Sequence, residues 1–211
     1  VHPNVVASFE FGIFRQAYFI TMELLEGMDL YTFAEDVHWG RLPVDLALDL
    51  CSQSLRGLGA AHDLGVVHRD VKLRNLFVLD GGKRACVMDF GIATMTGAGT
   101  GLTRTGMVVG TPAFVAPERL KSTPDPPTPA VDIYAMGVVL YRLLTGVLPF
   151  DRRSIAALFS DILTRDPRPV SALNPDVPPD VEAIVARMMR RDPSERFQNC
   201  ALACAAIDEA R

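Results

Sequence analysis

The chain has 211 residues, enough for one large domain or at most two small ones. Its 49% hydrophobic and 22% charged content describes a globular core under a solvated surface and excludes a disordered segment. A net charge of −4 argues against a general nucleic-acid binder. Cys51, Cys86, Cys200 and Cys204 lie far apart or within apolar pattern, as reduced, buried thiols of a cytosolic domain do, and not as a disulfide framework.

Taken in chain order, the pattern predicts two strands first, Val5 to Phe14 and Ala17 to Met22, with a turn near Arg15 and Gln16. Leu30 to Val37 reads as a short helix and Pro43 to His62 as a longer one. In the latter, Val44, Ala47, Leu48, Cys51, Leu55 and Leu58 fall on one apolar face, and Pro43 suits the first turn. Gly57 and Gly59 inside it suggest close packing or a fraying end. His62 closes the helix as a structural residue. Three short apolar runs read as strands: Leu64 to Val67, Leu76 to Leu79, and Ala85 to Met88, the last two joined by a turn at Asp80-Gly81-Gly82.

Residues 94 to 105 are rich in Gly and Thr, a composition that is expected to bury little apolar surface. Prolines recurring through residues 121 to 130 predict a loop. Asp132 to Thr145 reads as a buried helix ended by Leu148-Pro149-Phe150. Ser154 to Thr164 and Asp180 to Arg191 follow as helices on either side of a Pro-rich link. The apolar run from Ile133 to Phe150 is interrupted by Arg142 and Gly146 and falls short of a membrane span. Cys200 and Cys204 share a helix face at i, i+4, but no further ligand completes a zinc site, so both read as core residues.

Polar residues concentrate in one stretch. His68-Arg69-Asp70-Val71-Lys72-Leu73-Arg74-Asn75 lies between apolar runs, and Asp89-Phe90-Gly91 follows the third run. Asp70, Asn75 and Asp89 therefore stand at loop ends beside short strands, where they can converge. Phosphoryl transfer needs that set: a carboxylate to receive the attacking hydroxyl's proton, and oxygen ligands for a magnesium ion that neutralises phosphate. Turn formers and a strand terminator are the plainer alternative. The spacing H-R-D-V-x-x-x-N followed by D-F-G matches the protein-kinase signature, with Val in place of Leu.

On these motifs the chain resembles the eukaryotic-like, bacterial-type protein Ser/Thr kinases. The resemblance extends to Gly110-Thr111-Pro112-Ala113-Phe114-Val115-Ala116-Pro117-Glu118 and to Arg191-Asp192-Pro193-Ser194-Glu195-Arg196-Phe197. It implies an α+β, protein-kinase-like fold. Residues 1–25 would be a remnant of the N-lobe (two strands and the hinge) and residues 26–211 the helical C-lobe with the catalytic loop and activation segment. Asp70 resembles the catalytic base, Lys72 the residue contacting the transferred phosphate, Asn75 the second magnesium ligand and Asp89 the main one. Lys72, two residues after Asp70, follows the Ser/Thr kinase pattern, whereas Leu73 departs from the usual Pro. Met22 would be the gatekeeper, the Glu23 carbonyl and Leu25 amide the adenine partners, and Phe77 the floor beneath the base. Arg69 would capture a phosphorylated activation loop carrying Thr103 or Thr105, and Thr111 would shape the substrate-hydroxyl site. Asp132 would cap the catalytic-loop backbone, and Arg196 would pair with Glu118.

The implied cofactors are ATP and Mg²⁺, with Mn²⁺ as a substitute. The implied partners are protein substrates, a missing N-lobe in cis and a homodimer for autophosphorylation, with no nucleic acid. The location would be cytoplasmic, with any membrane anchor outside this region. The sequence contains no G-x-G-x-x-G loop and no V-A-I-K lysine, and it opens Val1-His2-Pro3-Asn4 without an initiator Met or signal peptide. It therefore reads as a fragment with little kinase activity alone, and its first strands should leave unpaired edges and exposed apolar surface. A pseudokinase or scaffold is the competing class, although it has no physical need to keep Asp70, Lys72, Asn75 and Asp89. A small-molecule phosphotransferase is disfavoured by the A-P-E segment and the Arg196 motif.

Overall fold

The computed structural model describes residues 1–15, 17–90, 112–121 and 126–211. Strands β1 (Ser8–Phe14) and β2 (Ala17–Met22) pair antiparallel as a two-stranded ribbon. The side chains of Phe9, Ile13, Phe14 and Tyr18 on it are exposed. A second antiparallel sheet has the order β3-β4-β5, from β3 (Gly27–Asp29), β4 (Leu76–Leu79) and β5 (Arg84–Val87). Its register sets Asp29 opposite Phe77 and Phe77 opposite Cys86.

The first strand begins three residues later than the apolar pattern suggests, because Asn4 to Ala7 serve another purpose. The Val6 amide donates to Val87, the Val87 amide donates to Asn4, and the Asn4 side chain donates to the Ala85 carbonyl at 2.8 Å. This segment is thereby fastened along β5. Behind it, helix α2 (Val44–His62) follows α1 (Leu30–Thr32), which runs on into a wider π turn at Phe33–Val37. Pro43 flanks α2 as its cap and is not in the first turn; its carbonyl accepts from Ala47.

Gly57 is the point where α2 meets this fastened segment. A methyl there would lie 2.4 Å from the Asn4 carbonyl oxygen. Alanine favours a helix interior over glycine by about 1 kcal/mol, but forcing a methyl into packed backbone costs about 1–3 kcal/mol. The clash should win. We expect Gly57→Ala to lower the urea midpoint, with a net loss of about 1 kcal/mol. An unchanged or higher midpoint would mean that the Asn4 segment yields freely.

The run Leu64 to Val67 is not a strand. Gly65 takes φ +75°, its amide donates to His62, and the Val66 amide donates to Ala61. These two bonds form a Schellman cap on α2, so the apolar run is spent ending a helix and Leu64 stays exposed.

Helix α3 (Pro129–Thr145) forms the middle of the core, buried from Val131 through Tyr141. It starts inside the stretch expected to be loop, because Pro129 occupies the first turn, where a missing N–H costs nothing. It ends at Thr145, as the pattern predicts, with Gly146 in the left-handed conformation as its cap. Helices α4 (Ile155–Thr164), α5 (Pro179–Met188) and α6 (Cys200–Glu209) complete the chain. Helix α2 packs on α3 and α6, and α5 packs on α3. Helix α5 stops before Arg190 and Arg191 because both of their carbonyls turn to accept from Arg196. All four cysteines are buried and unpaired. Among the described residues no helix is long and apolar enough to cross a membrane.

Candidate active site

The loop between α2 and β4 is built on a buried carboxylate. Asp132, in the first turn of α3 and 1% exposed, accepts the backbone N–H of His68 at Oδ2 (2.8 Å) and of Arg69 at Oδ1 (2.9 Å). Arg69 sits at φ +68°, a conformation that costs a non-glycine residue about 1–2 kcal/mol. The Asp132 bond to its amide offsets that strain and fixes the peptide leading into Asp70.

His68 is fully buried and holds two segments together. Its Nδ1 accepts from the Asp70 amide at 3.2 Å, so in a neutral ring Nε2 carries the proton and donates to the Met88 carbonyl at 2.8 Å. The Phe90 ring packs against the imidazole, with centroids 4.8 Å apart. The Met88 amide, in turn, donates to the Asn75 carbonyl at 3.0 Å. Met88 is thus tied on both sides, to His68 and to Asn75, which explains why β5 ends one residue earlier than expected. Asp89 follows directly, with φ +62°.

Asp70 is the focus of the loop. Its Oδ2 accepts from Lys72 Nζ at 2.6 Å and from Asn75 Nδ2 at 3.0 Å, and Asn75 Nδ2 also donates to the Asp70 carbonyl at 2.8 Å. The Asn75 amide nitrogen is committed to Asp70, which leaves its oxygen for another partner. Both Asp70 and Lys72 keep a part of their side chains open to solvent.

The apolar side of the site gathers Met22, Leu25, Phe77 and Met88 around buried Val6, Leu79 and Cys86. Glu23 is tied to Ala7 twice: its amide donates to the Ala7 carbonyl, and its carboxylate accepts the Ala7 amide at 2.8 Å. Burial and the neighbouring Glu23 carboxylate push the Cys86 thiol up to about 11.

Arg196 is fully buried, and all five of its N–H groups are used. Nη1 and Nη2 grip the two Glu118 oxygens at 2.8 and 2.7 Å, and the remaining bonds go to the carbonyls of Ala130, Arg190 and Arg191. The Tyr134 ring lies 5.0 Å beneath the guanidinium. Thr103, Thr105 and Thr111 lie outside the described residues. Sequence reasoning treated His62 as a helix end only; its Nε2 lies 2.8 Å from Asp132 Oδ2, a contact across 70 positions with no local signal.

The sequence profile of the protein kinase domain matches residues 1–206, and the chain belongs to that family. Its fold is α+β and of the protein-kinase type, mostly the helical lobe with two strands of the smaller one. A serine/threonine-protein kinase of Myxococcus xanthus, pkn3, is 35% identical over 92% of this chain and 37% of its own length. Serine/threonine-protein kinase PrkC of Bacillus subtilis is 34% identical over 93% of this chain and 30% of its own. The chain spans about a third of the length of these curated relatives. The crystal structure of the Mycobacterium tuberculosis PknI kinase domain superposes with a TM-score of 0.78 at 25% identity, covering 100% of this chain and 73% of that one. Rad53 1–466 in complex with AMP-PNP gives 0.80 at 26% identity, covering 97% of this chain and 50% of that one.

Proposed function

We propose that this chain carries the catalytic loop of an ATP- and magnesium-dependent protein Ser/Thr kinase. In this reading residues 1–25 are N-lobe strands and hinge, and residues 26–211 the C-lobe. The observation that carries the reading is the Asp70–Lys72–Asn75 cluster, fastened through Met88 to the residue that precedes Asp89.

The donor set suits the implied ion. The Asn75 oxygen and the Asp89 carboxylate are hard oxygen donors. Mg²⁺ takes one or two protein carboxylates and completes its shell with phosphate and water, and Mn²⁺ accepts similar ligands. When bound, the metal–nucleotide supplies the γ-phosphoryl group and screens its charge.

The remaining work falls to this chain. Asp70 orients a Ser or Thr hydroxyl and takes its proton. Lys72, 2.6 Å from Asp70, holds the carboxylate in place and lends positive charge to the transferred group. Met22, Leu25 and Phe77 form an apolar bed for a purine, and the Glu23 carbonyl and Leu25 amide select its edge. Arg69, Thr103, Thr105 and Thr111 serve regulation and substrate positioning, with autophosphorylation between two copies. Protein substrates and a cytoplasmic location complete the reading.

The test is transfer from radiolabelled ATP by the full-length protein, followed by phosphoamino-acid analysis of the labelled substrate. Phosphoserine and phosphothreonine are expected. Exclusive phosphotyrosine, or no label at all with Mg²⁺ present, would remove the reading.

A further inference from the structure

A row of side chains runs from the last helix to the backbone just ahead of Asp70. Cys200, at the start of α6, has its sulfur 3.5 Å from His62 Nδ1; His62 Nε2 is 2.8 Å from Asp132 Oδ2; and Asp132 accepts the amides of His68 and Arg69. The imidazole and the carboxylate are 7% and 1% exposed, so protein groups fix where the protons lie.

The directions of these bonds follow from chemistry. A carboxylate accepts only, so the proton between His62 and Asp132 is on Nε2. A neutral ring then presents Nδ1 as an acceptor, and the group facing it is the thiol. Burial, with the Asp132 carboxylate nearby, pushes the Cys200 thiol well above its ordinary range, which keeps its proton on sulfur. For a neutral imidazole the row reads S–H to Nδ1, then Nε2–H to Oδ2, then two carboxylate oxygens holding two amides.

The approach of α6 to α2 is built for this contact. Cys200, Cys204 and Asp208 repeat every four residues along α6. Cys204 meets the Ser52 carbonyl at 3.4 Å, and Asp208 accepts from Ser52 at 2.9 Å and from Arg56 at 2.8 Å. Gly59 lets the helices close at the Cys200 end, since a Cβ there would lie 3.3 Å from the Cys200 Cβ.

We propose that Cys200 is a positioning residue: its thiol pins Nδ1 of the His62 ring, whose Nε2–H the Asp132 carboxylate dictates, and so holds Asp132 in the orientation that fixes the His68 and Arg69 peptides ahead of Asp70. The terminal helix then bears on the catalytic loop through one hydrogen-bonded row. The activity arm of this inference rests on the kinase reading; the spectroscopic arm does not.

The experiment compares full-length wild type with Cys200→Val and Cys200→Ser. Nitrogen NMR of His62 in wild type should give a bare, hydrogen-bond-accepting Nδ1 and a protonated Nε2. In Cys200→Val the Nδ1 resonance should move toward that of a nitrogen accepting no bond, and the His68 and Arg69 amides should exchange faster with solvent. Loss of one such bond predicts a kcat about fivefold lower with KM for ATP unchanged. Cys200→Ser, which restores a donor, should recover most of both effects. A protonated Nδ1 in wild type, or amide exchange in Cys200→Val equal to wild type, overturns the proposal. If wild type transfers no phosphate, the kinase reading fails while the NMR and exchange arms still decide the positioning role.

Discussion

Asp70→Asn should lower kcat by about 10²–10⁴-fold while leaving KM for ATP close to that of wild type. The amide is nearly isosteric with the carboxylate, so the loop should keep its shape. The backbone anchors of the loop do not use the Asp70 side chain: the His68 and Arg69 amides go to Asp132, and the Asp70 carbonyl accepts from Asn75 at 2.8 Å. What disappears is an acceptor for the hydroxyl's proton and the charge that holds Lys72 at 2.6 Å. Steady-state kinetics of the full-length protein, with the urea midpoint as a control for folding, read both effects. A kcat within threefold of wild type would end the role given to Asp70.

The largest loss of stability is expected from Arg196→Met. This guanidinium is wholly buried and bonds to Glu118 and to the carbonyls of Ala130, Arg190 and Arg191. Methionine fills much of the volume but leaves a mostly buried carboxylate and three carbonyls without their donor. Breaking one side of a buried pair costs about 3–5 kcal/mol, a large share of the roughly 5–15 kcal/mol that holds a domain together. Replacing both partners by apolar residues should cost less than the single change, because no buried charge remains. Urea unfolding of Arg196→Met and of Arg196→Met with Glu118→Leu measures the difference. A single variant that loses less than 1 kcal/mol would mean that water reaches the clamp.

How much of this was legible in the sequence depends on the reach of each contact. The motif from His68 to Asn75 and the strands at Leu76–Leu79 and Arg84–Val87 are local, and the motif's spacing alone set Asp70 and Asn75 within reach of each other. The helices were legible from their apolar faces, and the ends at His62, Thr145 and Thr164 fall where the pattern put them, but the start of α3 and the end of α5 do not. The start of α3 is set by a proline acting as an initiator, and the end of α5 by a guanidinium reaching back for two carbonyls. Neither of these leaves a periodic signal. Contacts between distant segments were hidden altogether. Asn4 donates to Ala85 across 81 positions, and His62 meets Cys200 across 138, and only the folded chain brings them together. Strand β3, three residues long, is too short for alternation to register.

The Asn75 oxygen and the Asp89 carboxylate carry the account, because the loop geometry has no catalytic meaning unless both turn to one metal-bound phosphate. The direct measurement is equilibrium binding of ATP to the full-length protein, with and without Mn²⁺, for wild type, Asn75→Ala and Asp89→Asn. The account predicts that Mn²⁺ tightens binding to wild type, and that each variant loses about tenfold or more of that gain while metal-free binding is unchanged. Metal-dependent binding of wild-type strength in both variants would contradict it.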